Sequence, residues 1–255
     1  MISYWQAIIL GVIQGLTEFL PVSSSGHLTI FQNLLSMSGD MISFDVFVHL
    51  GTLIAVFVAF WSDISALLRR PFCKFTALII IGTIPAALMG VFLDDIFTLM
   101  FSSLVAVSCA LIITGILLWV SDRFSGTKSI NDMTVKDALI IGIFQGCAIT
   151  PGLSRSGSTI FGALLCGLKR SEAAKFSFIL SIPVILGAGV KEMLDMAQES
   201  VIIFQPSYIL GAAVAAICGY LAIRIFLHLL AKKSLRVFSY YCWALAIIVL
   251  ILQLF

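Results

Sequence analysis

The sequence predicts an all-α polytopic membrane protein with six transmembrane helices plus two re-entrant helical hairpins in an inverted-topology repeat, all within a single integral membrane domain, residues 1–255. Three observations predict it. Hydrophobic residues make up 60% of the chain and charged residues only 11%, whereas roughly 25% of the residues of a soluble domain are charged. The apolar residues fall in runs near the roughly 20 that a helix needs to cross a bilayer. A Pro-broken, Ser- and Gly-rich stretch inside an apolar segment occurs twice, at Pro21 and at Pro151.

In chain order, the first element is a hairpin over roughly residues 4–37. Its apolar half ends at Pro21, a turn of Ser23, Ser24, Ser25 and Gly26 follows, and the second half begins at His27. Spans are expected at Ser43–Trp61, Phe75–Leu93 and Ser102–Val120, and again at Phe176–Val190, Tyr208–Leu230 and Val237–Phe255. The loops between them alternate in sign. Arg69, Arg70 and Lys74 dominate residues 62–74; Asp94 and Asp95 stand alone in 94–100; Lys169, Arg170 and Lys175 dominate 169–175; Glu192, Asp195 and Glu199 dominate 191–206; Lys232, Lys233 and Arg236 occupy 231–236. The positive-inside rule places the basic loops in the cytoplasm.

That assignment requires residues 137–168 to enter and leave by one face, because the segments on both sides of it are cytoplasmic. A second re-entrant hairpin satisfies the constraint. Its centre, Thr150-Pro151-Gly152-Leu153-Ser154-Arg155-Ser156-Gly157, is irregular backbone of a kind tolerated at membrane depth only where it is buried or lines a cavity. The first hairpin then enters from the outer face, with both termini outside. Neither end carries Lys or Arg, none occurring before Arg69 or after Arg236. A cleaved signal peptide needs a basic start, so no processing is expected.

The hairpins match each other. Gly11-Val12-Ile13-Gln14-Gly15 corresponds to Gly142-Ile143-Phe144-Gln145-Gly146, and each proline is followed by the same Thr-Ile-Phe, at Thr29-Ile30-Phe31 and at Thr159-Ile160-Phe161. A second match pairs Gly82, Ala86, Ala87 and Gly90 with Gly211, Ala215, Ala216 and Gly219. Two halves of opposite topology follow, residues 1–121 and 137–255. Inverted repeats with broken helices place a polar site near the midplane, where half-helix N-termini face an anion. The plainer alternative makes the prolines and glycines bends in packed helices and the serines caps.

Several residues carry chemistry. Glu18 is a charge in an apolar hairpin half, costly unless it faces a cavity or a partner, and could be a metal ligand or general base. Gln14 lies one turn earlier on the same face. Arg155 sits in the second break, where a guanidinium recognises phosphate in a bidentate manner beside hydroxyls and the N–H groups of a helix start. His27 is a candidate general acid or nucleophile. His49 and Asp45 read as supporting groups rather than catalytic ones, and His228 as interfacial. The six cysteines show no metal or disulfide spacing. One carboxylate, an imidazole, a guanidinium and several hydroxyls suit phosphoryl chemistry, in which positioning and charge stabilisation dominate.

Gln14-Gly15-Leu16-Thr17-Glu18-Phe19-Leu20-Pro21-Val22-Ser23-Ser24-Ser25-Gly26-His27 and Pro151-Gly152-Leu153-Ser154-Arg155-Ser156-Gly157-Ser158-Thr159 resemble the two signature motifs of the bacterial undecaprenyl-diphosphatase (bacitracin-resistance) family. The resemblance runs through Phe44-Asp45, His49-Leu50-Gly51-Thr52 and Phe176-Ser177-Phe178 and covers essentially the whole chain. It implies hydrolysis of undecaprenyl diphosphate to undecaprenyl phosphate and inorganic phosphate. The site would open to the periplasmic side of the cytoplasmic (inner) membrane, and a divalent cation, Mg2+ or Ca2+, would take part. By position, Glu18, His27, Ser24 and Arg155 would be catalytic. Gln14, Ser23, Ser25, Gly152, Ser154, Ser156, Gly157 and Thr159 would bind substrate, and Glu18 and Gln14 the metal. Many members carry Glu where this chain has Gln14, which weakens the metal assignment. The expected partners are a polyprenyl diphosphate lipid and the bilayer; a homodimer is allowed and nucleic acid is not expected.

Two rival readings have to be weighed. Broken-helix inverted repeats also build transporters, which would bind the lipid phosphate without turning it over. The type-2 phosphatidic acid phosphatase pattern needs His after five intervening residues beyond Ser-Arg; Ser154-Arg155 has Phe161 at that position and no Lys lies seven residues before Arg70-Pro71, so that reading fails.

Overall fold

The computed structural model describes residues 2–35, 37, 41–124, 126–198, 205–232 and 234–253. Among them the regular structure is helical, apart from a single bridge between Lys128 and Leu168. The protein is an all-α, multi-pass membrane protein.

The first hairpin is α1 (Tyr4–Phe19) and α2 (Ser24–Leu34). Ser3 and Gln6 close a capping box at the start of α1. The helix stops because Pro21 excludes the helical conformation from the residue before it, and Leu20 is extended at ψ 139°. Ser23 then caps α2 by accepting the Gly26 N–H. It does so at φ 70°, a left-handed value that costs a non-glycine residue energy and persists where its surroundings fix it. Next come α3 (Ile42–Ala59), α4 (Trp61–Arg69), α5 (Lys74–Phe92), α6 (Asp94–Phe101) and α7 (Leu104–Ser121). The second hairpin is α8 (Val135–Cys147), opened by a Thr134–Asp137 capping box, and α9 (Arg155–Leu165), capped by Ser154. α10 (Arg170–Gln198), α11 (Pro206–Lys232) and α12 (Arg236–Leu252) complete the chain.

Five of these helices, α3, α5, α7, α10 and α11, are long and apolar enough to cross a membrane, and α12 is a shorter apolar helix. Two expected loops are partly helical: α4 occupies most of 62–74, and α6 fills 94–100. The loop expected at 169–175 is the first turns of α10, which overruns Phe176–Val190 at both ends. Hydropathy marks only the apolar middle of such a helix, whereas Glu, Lys and Arg extend it readily. Ser36, Glu199, Lys233, Leu254 and Phe255 lie outside the described residues.

α1 lies along α11, α3 flanks α11 on another side, α8 lies along α5, and α7 pairs with α12. Matched glycines make matched crossings. A Cβ on Gly11 would sit 2.6 Å from the Gly211 carbonyl oxygen, and one on Gly142 would run into the Gly82 carbonyl. Small residues let membrane helices approach this closely. Apolar side chains such as Ile54, Val58, Ile80, Val91 and Ile217 face outward, as lipid contact requires.

At the end where α7 stops and α10 and α12 start, Asp122 gathers the three. Arg170 lies 2.8 Å and Arg236 3.5 Å from its carboxylate, the Leu235 N–H donates at 3.2 Å, and the Ser234 hydroxyl donates as well. Burial would raise the Asp122 carboxyl. Ser234, Leu235 and Arg170 outweigh it and hold the group below the ordinary aspartate range. Arg236 also stacks over Trp119, 4.6 Å from the ring centre.

Candidate active site

Glu18, in the last turn of α1, is 6% exposed. One carboxylate oxygen accepts from Nη2 of Arg155, the first residue of α9. The other accepts the Ser24 hydroxyl at 2.5 Å and the Gln14 amide at 3.0 Å, and lies 3.8 Å from Nε2 of His49. The two breaks touch: a Cβ on Gly26 would lie 3.2 Å from Cα of Gly152, and one on Gly157 would lie 3.4 Å from Pro21. Carboxylate and guanidinium, supplied by separate hairpins, thus form one buried pair.

The pair borders a cavity of about 650 Å³. Ser23, Ser24, Ser25, Ser154 and Arg155 line it from the breaks, and Asp45 and His49 from α3. Asp94 and Phe97 of α6, Gln145 of α8, and Ile185 and Glu192 of α10 line it too. The lining mixes polar groups with apolar side chains such as Leu28, Val46, Leu50, Phe97 and Val184, the composition of a site for an amphipathic ligand.

Other expected site residues build the loops rather than the cavity wall. Gly152, at φ 90°, has no room for a Cβ against the Val107 carbonyl, and its own carbonyl accepts from Thr114 at 3.0 Å. Ser156 donates to the Leu20 carbonyl at 3.2 Å, tying the second break to the first. Gly157 gives its N–H to the Ser154 hydroxyl at 3.1 Å, and Thr159 shares a 2.5 Å hydrogen bond with Ser177. Gln14 is fully buried and reaches the site only through Glu18.

His27 departs most from its expected placement. It lies outside the cavity wall, 3% exposed. Nδ1 is 2.7 Å from the Ser23 carbonyl and Nε2 2.7 Å from the Tyr241 hydroxyl, with the Tyr241 ring parallel to its own. A carbonyl only accepts, so Nδ1 carries a proton, and in the neutral ring Nε2 then accepts from the Tyr241 hydroxyl. One helical turn of α2 points Ser24 and Ser25 into the chamber and turns His27 toward α12. His49 is the histidine that faces the chamber. Its Nδ1 is likewise tied, 2.7 Å from the Asp45 carbonyl, which leaves Nε2 toward Glu18.

Sequence reasoning gave His49 and Asp45 a minor place and passed over Gln145, whose only signal was its match to Gln14. Asp94 and Glu192 read as loop charges, although they reach the cavity rim. For a cation, Glu18 is the one carboxylate at the centre of the site, and the Gln14 Oε1 is a buried acceptor without a partner. No group of three His, Cys, Asp or Glu side chains able to hold a metal occurs among the described residues. This donor set fits a hard cation carried mainly by substrate phosphates, the usual arrangement for Mg2+, rather than a closed protein cage.

The fold and site define a polytopic membrane protein with a chamber at the meeting of two broken helical hairpins. The family described as bacitracin resistance protein BacA matches residues 7–248. The chain is 45% identical over 252 residues to the undecaprenyl-diphosphatase of Halothermothrix orenii, covering 97% of each chain. It is 44% identical over 254 residues to that of Carboxydothermus hydrogenoformans, covering 98% of this chain and 97% of the other. Undecaprenyl-diphosphatase 3 of Bacillus cereus is 42% identical over 253 residues, covering 98% of each. The chain belongs to the bacitracin resistance protein BacA family.

Proposed function

We infer that this protein hydrolyses undecaprenyl diphosphate to undecaprenyl phosphate and inorganic phosphate. The reaction recycles the lipid carrier for peptidoglycan synthesis and confers resistance to bacitracin. Family membership and relatives named for this activity support the reaction. The observation that carries the mechanism is the joining of Glu18, Ser24 and Arg155, from opposite hairpins, at one chamber.

In the mechanism, the diphosphate meets the polar groups of the chamber and the prenyl chain leaves along its apolar side chains. Arg155 holds the terminal phosphate and offsets its charge. Glu18 takes the proton of Ser24, whose oxygen attacks the terminal phosphorus. The bond from that phosphorus to the bridging oxygen breaks, and undecaprenyl phosphate departs with the electron pair. Glu18 hands that proton to the departing lipid phosphate and then takes one from a water that attacks the phosphoserine phosphorus; the bond to the Ser24 oxygen breaks, inorganic phosphate leaves, and Glu18 returns the proton to Ser24. A divalent cation, held by Glu18 and the substrate phosphates, would add charge neutralisation.

The membrane orientation is part of the proposal. Arg69, Arg70, Lys74, Lys169, Arg170 and Arg236 sit at the helix ends remote from the chamber, whereas Asp45, Asp94 and Glu192 rim it. The positive-inside rule then turns the chamber toward the periplasm in the inner membrane, and relates residues 1–121 to 137–255 as halves of opposite topology. A transporter would need a route to the other face. Instead Phe19, Phe60, Phe178 and Phe226 pack edge to face or tilted, with centroids 5.5–5.9 Å apart, on the cytoplasmic side of Glu18.

The test is phosphate release from a prenyl diphosphate by purified protein in detergent, with and without chelator. Turnover lost in Glu18→Ala and Arg155→Ala is the expected result. Tight lipid binding with no phosphate released by the wild-type protein would overturn the enzyme reading.

A further inference from the structure

Gln145 lies two residues before the end of α8, 1% exposed, on the wall of the chamber. Neither its amide nitrogen nor its amide oxygen has a hydrogen-bond partner. Buried amides are nearly always paired, and one that is not calls for a partner the protein alone does not supply. The repeat explains how the vacancy arises. Gln14, the matched residue, donates to Glu18 one turn on; the residue one turn on from Gln145 is Ile149. The same side chain therefore keeps its place in the second hairpin while its carboxylate partner is gone.

A second donor nearby is in the same condition: Nη1 of Arg155 is buried and unpartnered, while Nη2 serves Glu18. The first hairpin thus supplies the acceptor and hydroxyl, and the second supplies unspent donors. A diphosphate is the ligand with two anionic centres to occupy such donors. Resting on the hydrolase reading above, the terminal phosphate belongs beside Glu18, Ser24 and Arg155. Gln145 makes no hydrogen bond to any of these, which leaves its donor available to the other phosphate.

We propose that Gln145 donates its amide N–H to the lipid-side phosphate, the leaving group, through the unpartnered amide it presents to the chamber. Negative charge grows on that phosphate as the bridging bond breaks, so the hydrogen bond strengthens toward the transition state. The residue sets which end of the diphosphate is cut and favours a diphosphate over a monophosphate.

The test uses the purified full-length chain in detergent, with farnesyl diphosphate as substrate and farnesyl phosphate and inorganic phosphate as separate inhibitors. Gln145→Leu and Gln145→Met are expected to lower kcat/KM about tenfold or more, the range for hydrogen bonds to charged groups. Inhibition by farnesyl phosphate should weaken by a similar factor and inhibition by inorganic phosphate should not change. Thermal stability should hold or rise, because an unpartnered buried amide has been removed. If both variants keep kcat/KM and farnesyl phosphate inhibition within twofold of wild type, the amide has no role with substrate and the proposal fails. Weakened inhibition by inorganic phosphate instead would put Gln145 on the terminal phosphate and overturn the assignment. Unfolding of Leu but not Met leaves the Met variant to decide; unfolding of both would show a structural amide and overturn it. Wild-type protein that releases no phosphate would sink the hydrolase reading itself, an outcome distinct from a silent Gln145.

Discussion

Glu18 and Arg155 balance each other's charge in a buried setting, so removing one strands the other. Leaving a buried charge without its partner costs about 3–5 kcal/mol. Glu18→Ala and Arg155→Ala should each therefore lower thermal stability as well as activity. The double variant should recover much of the stability and none of the turnover, measured by melting and phosphate release on the same preparations. Glu18→Gln separates charge from shape: its amide can still bond Ser24, but it cannot take a proton, and a loss of about 10²–10⁴ in kcat is expected. Tyr241→Phe tests His27 in a different way. It leaves Nε2 of a buried imidazole without its donor, at a cost of about 1–3 kcal/mol, and frees the ring that steadies Ser23 at φ 70°. Stability should fall, and activity should follow only through the altered Ser23–Ser24 turn. The motif residues themselves were legible in the sequence, since a carboxylate and an arginine in apolar breaks have few structural uses. Which histidine faces the chamber was not. That depends on Tyr241 of α12, a partner remote in sequence, and on the turn of α2 that carries Ser24 inward and His27 away.

The hairpins were readable because a proline inside an apolar run stops a helix by local sterics, whatever surrounds it. α4, α6 and the full length of α10 were not, because charged helix formers look like loop to a hydropathy count. The close crossings fall between these cases: the glycines stood out as a repeat, but the partner each one meets is a matter of packing. α1 crosses α11, and α8 crosses α5, with a glycine at each contact. Gly11→Ala and Gly142→Ala should each force the helices apart, at about 1–3 kcal/mol for overpacking. Because α1 and α8 lead directly to Glu18 and to the Arg155 break, part of the strain should reach the site. Melting curves and kcat/KM should both move, and to a similar extent in the two variants. Gly187→Ala, inside α10 where a Cβ meets nothing within 4 Å, is the control: melting should hold or rise by the helix-propensity gain of about 0.5–1 kcal/mol, and kcat/KM should not change.

The molecule has two unlike ends. One carries the chamber with its acidic rim, where Lys191 joins Asp94 at 2.9 Å. The other carries the basic helix starts, gathered by Asp122. Three helices converge on that single carboxylate, and two of them, α7 and α12, also pack against each other. The folded state holds Asp122 below its ordinary value of 3.8, so it binds fewer protons there than in the unfolded chain, and folding is favoured by their release. The contribution is complete above the unfolded value, near pH 4, and disappears as pH falls through the lowered folded one. Asp122→Asn removes the charge at every pH. At neutral pH the variant should melt lower than wild type by several degrees, since each kcal/mol is worth roughly 2–4 °C in a chain near this size. In acid the two curves should converge. The chamber lies at the far end, so kcat/KM of the folded variant should stay near wild type below its melting point. A gap that does not shrink as pH falls below 4, or a loss of turnover in fully folded protein, would mean that the clamp stabilises the fold by means other than its charge, or that the two ends are coupled.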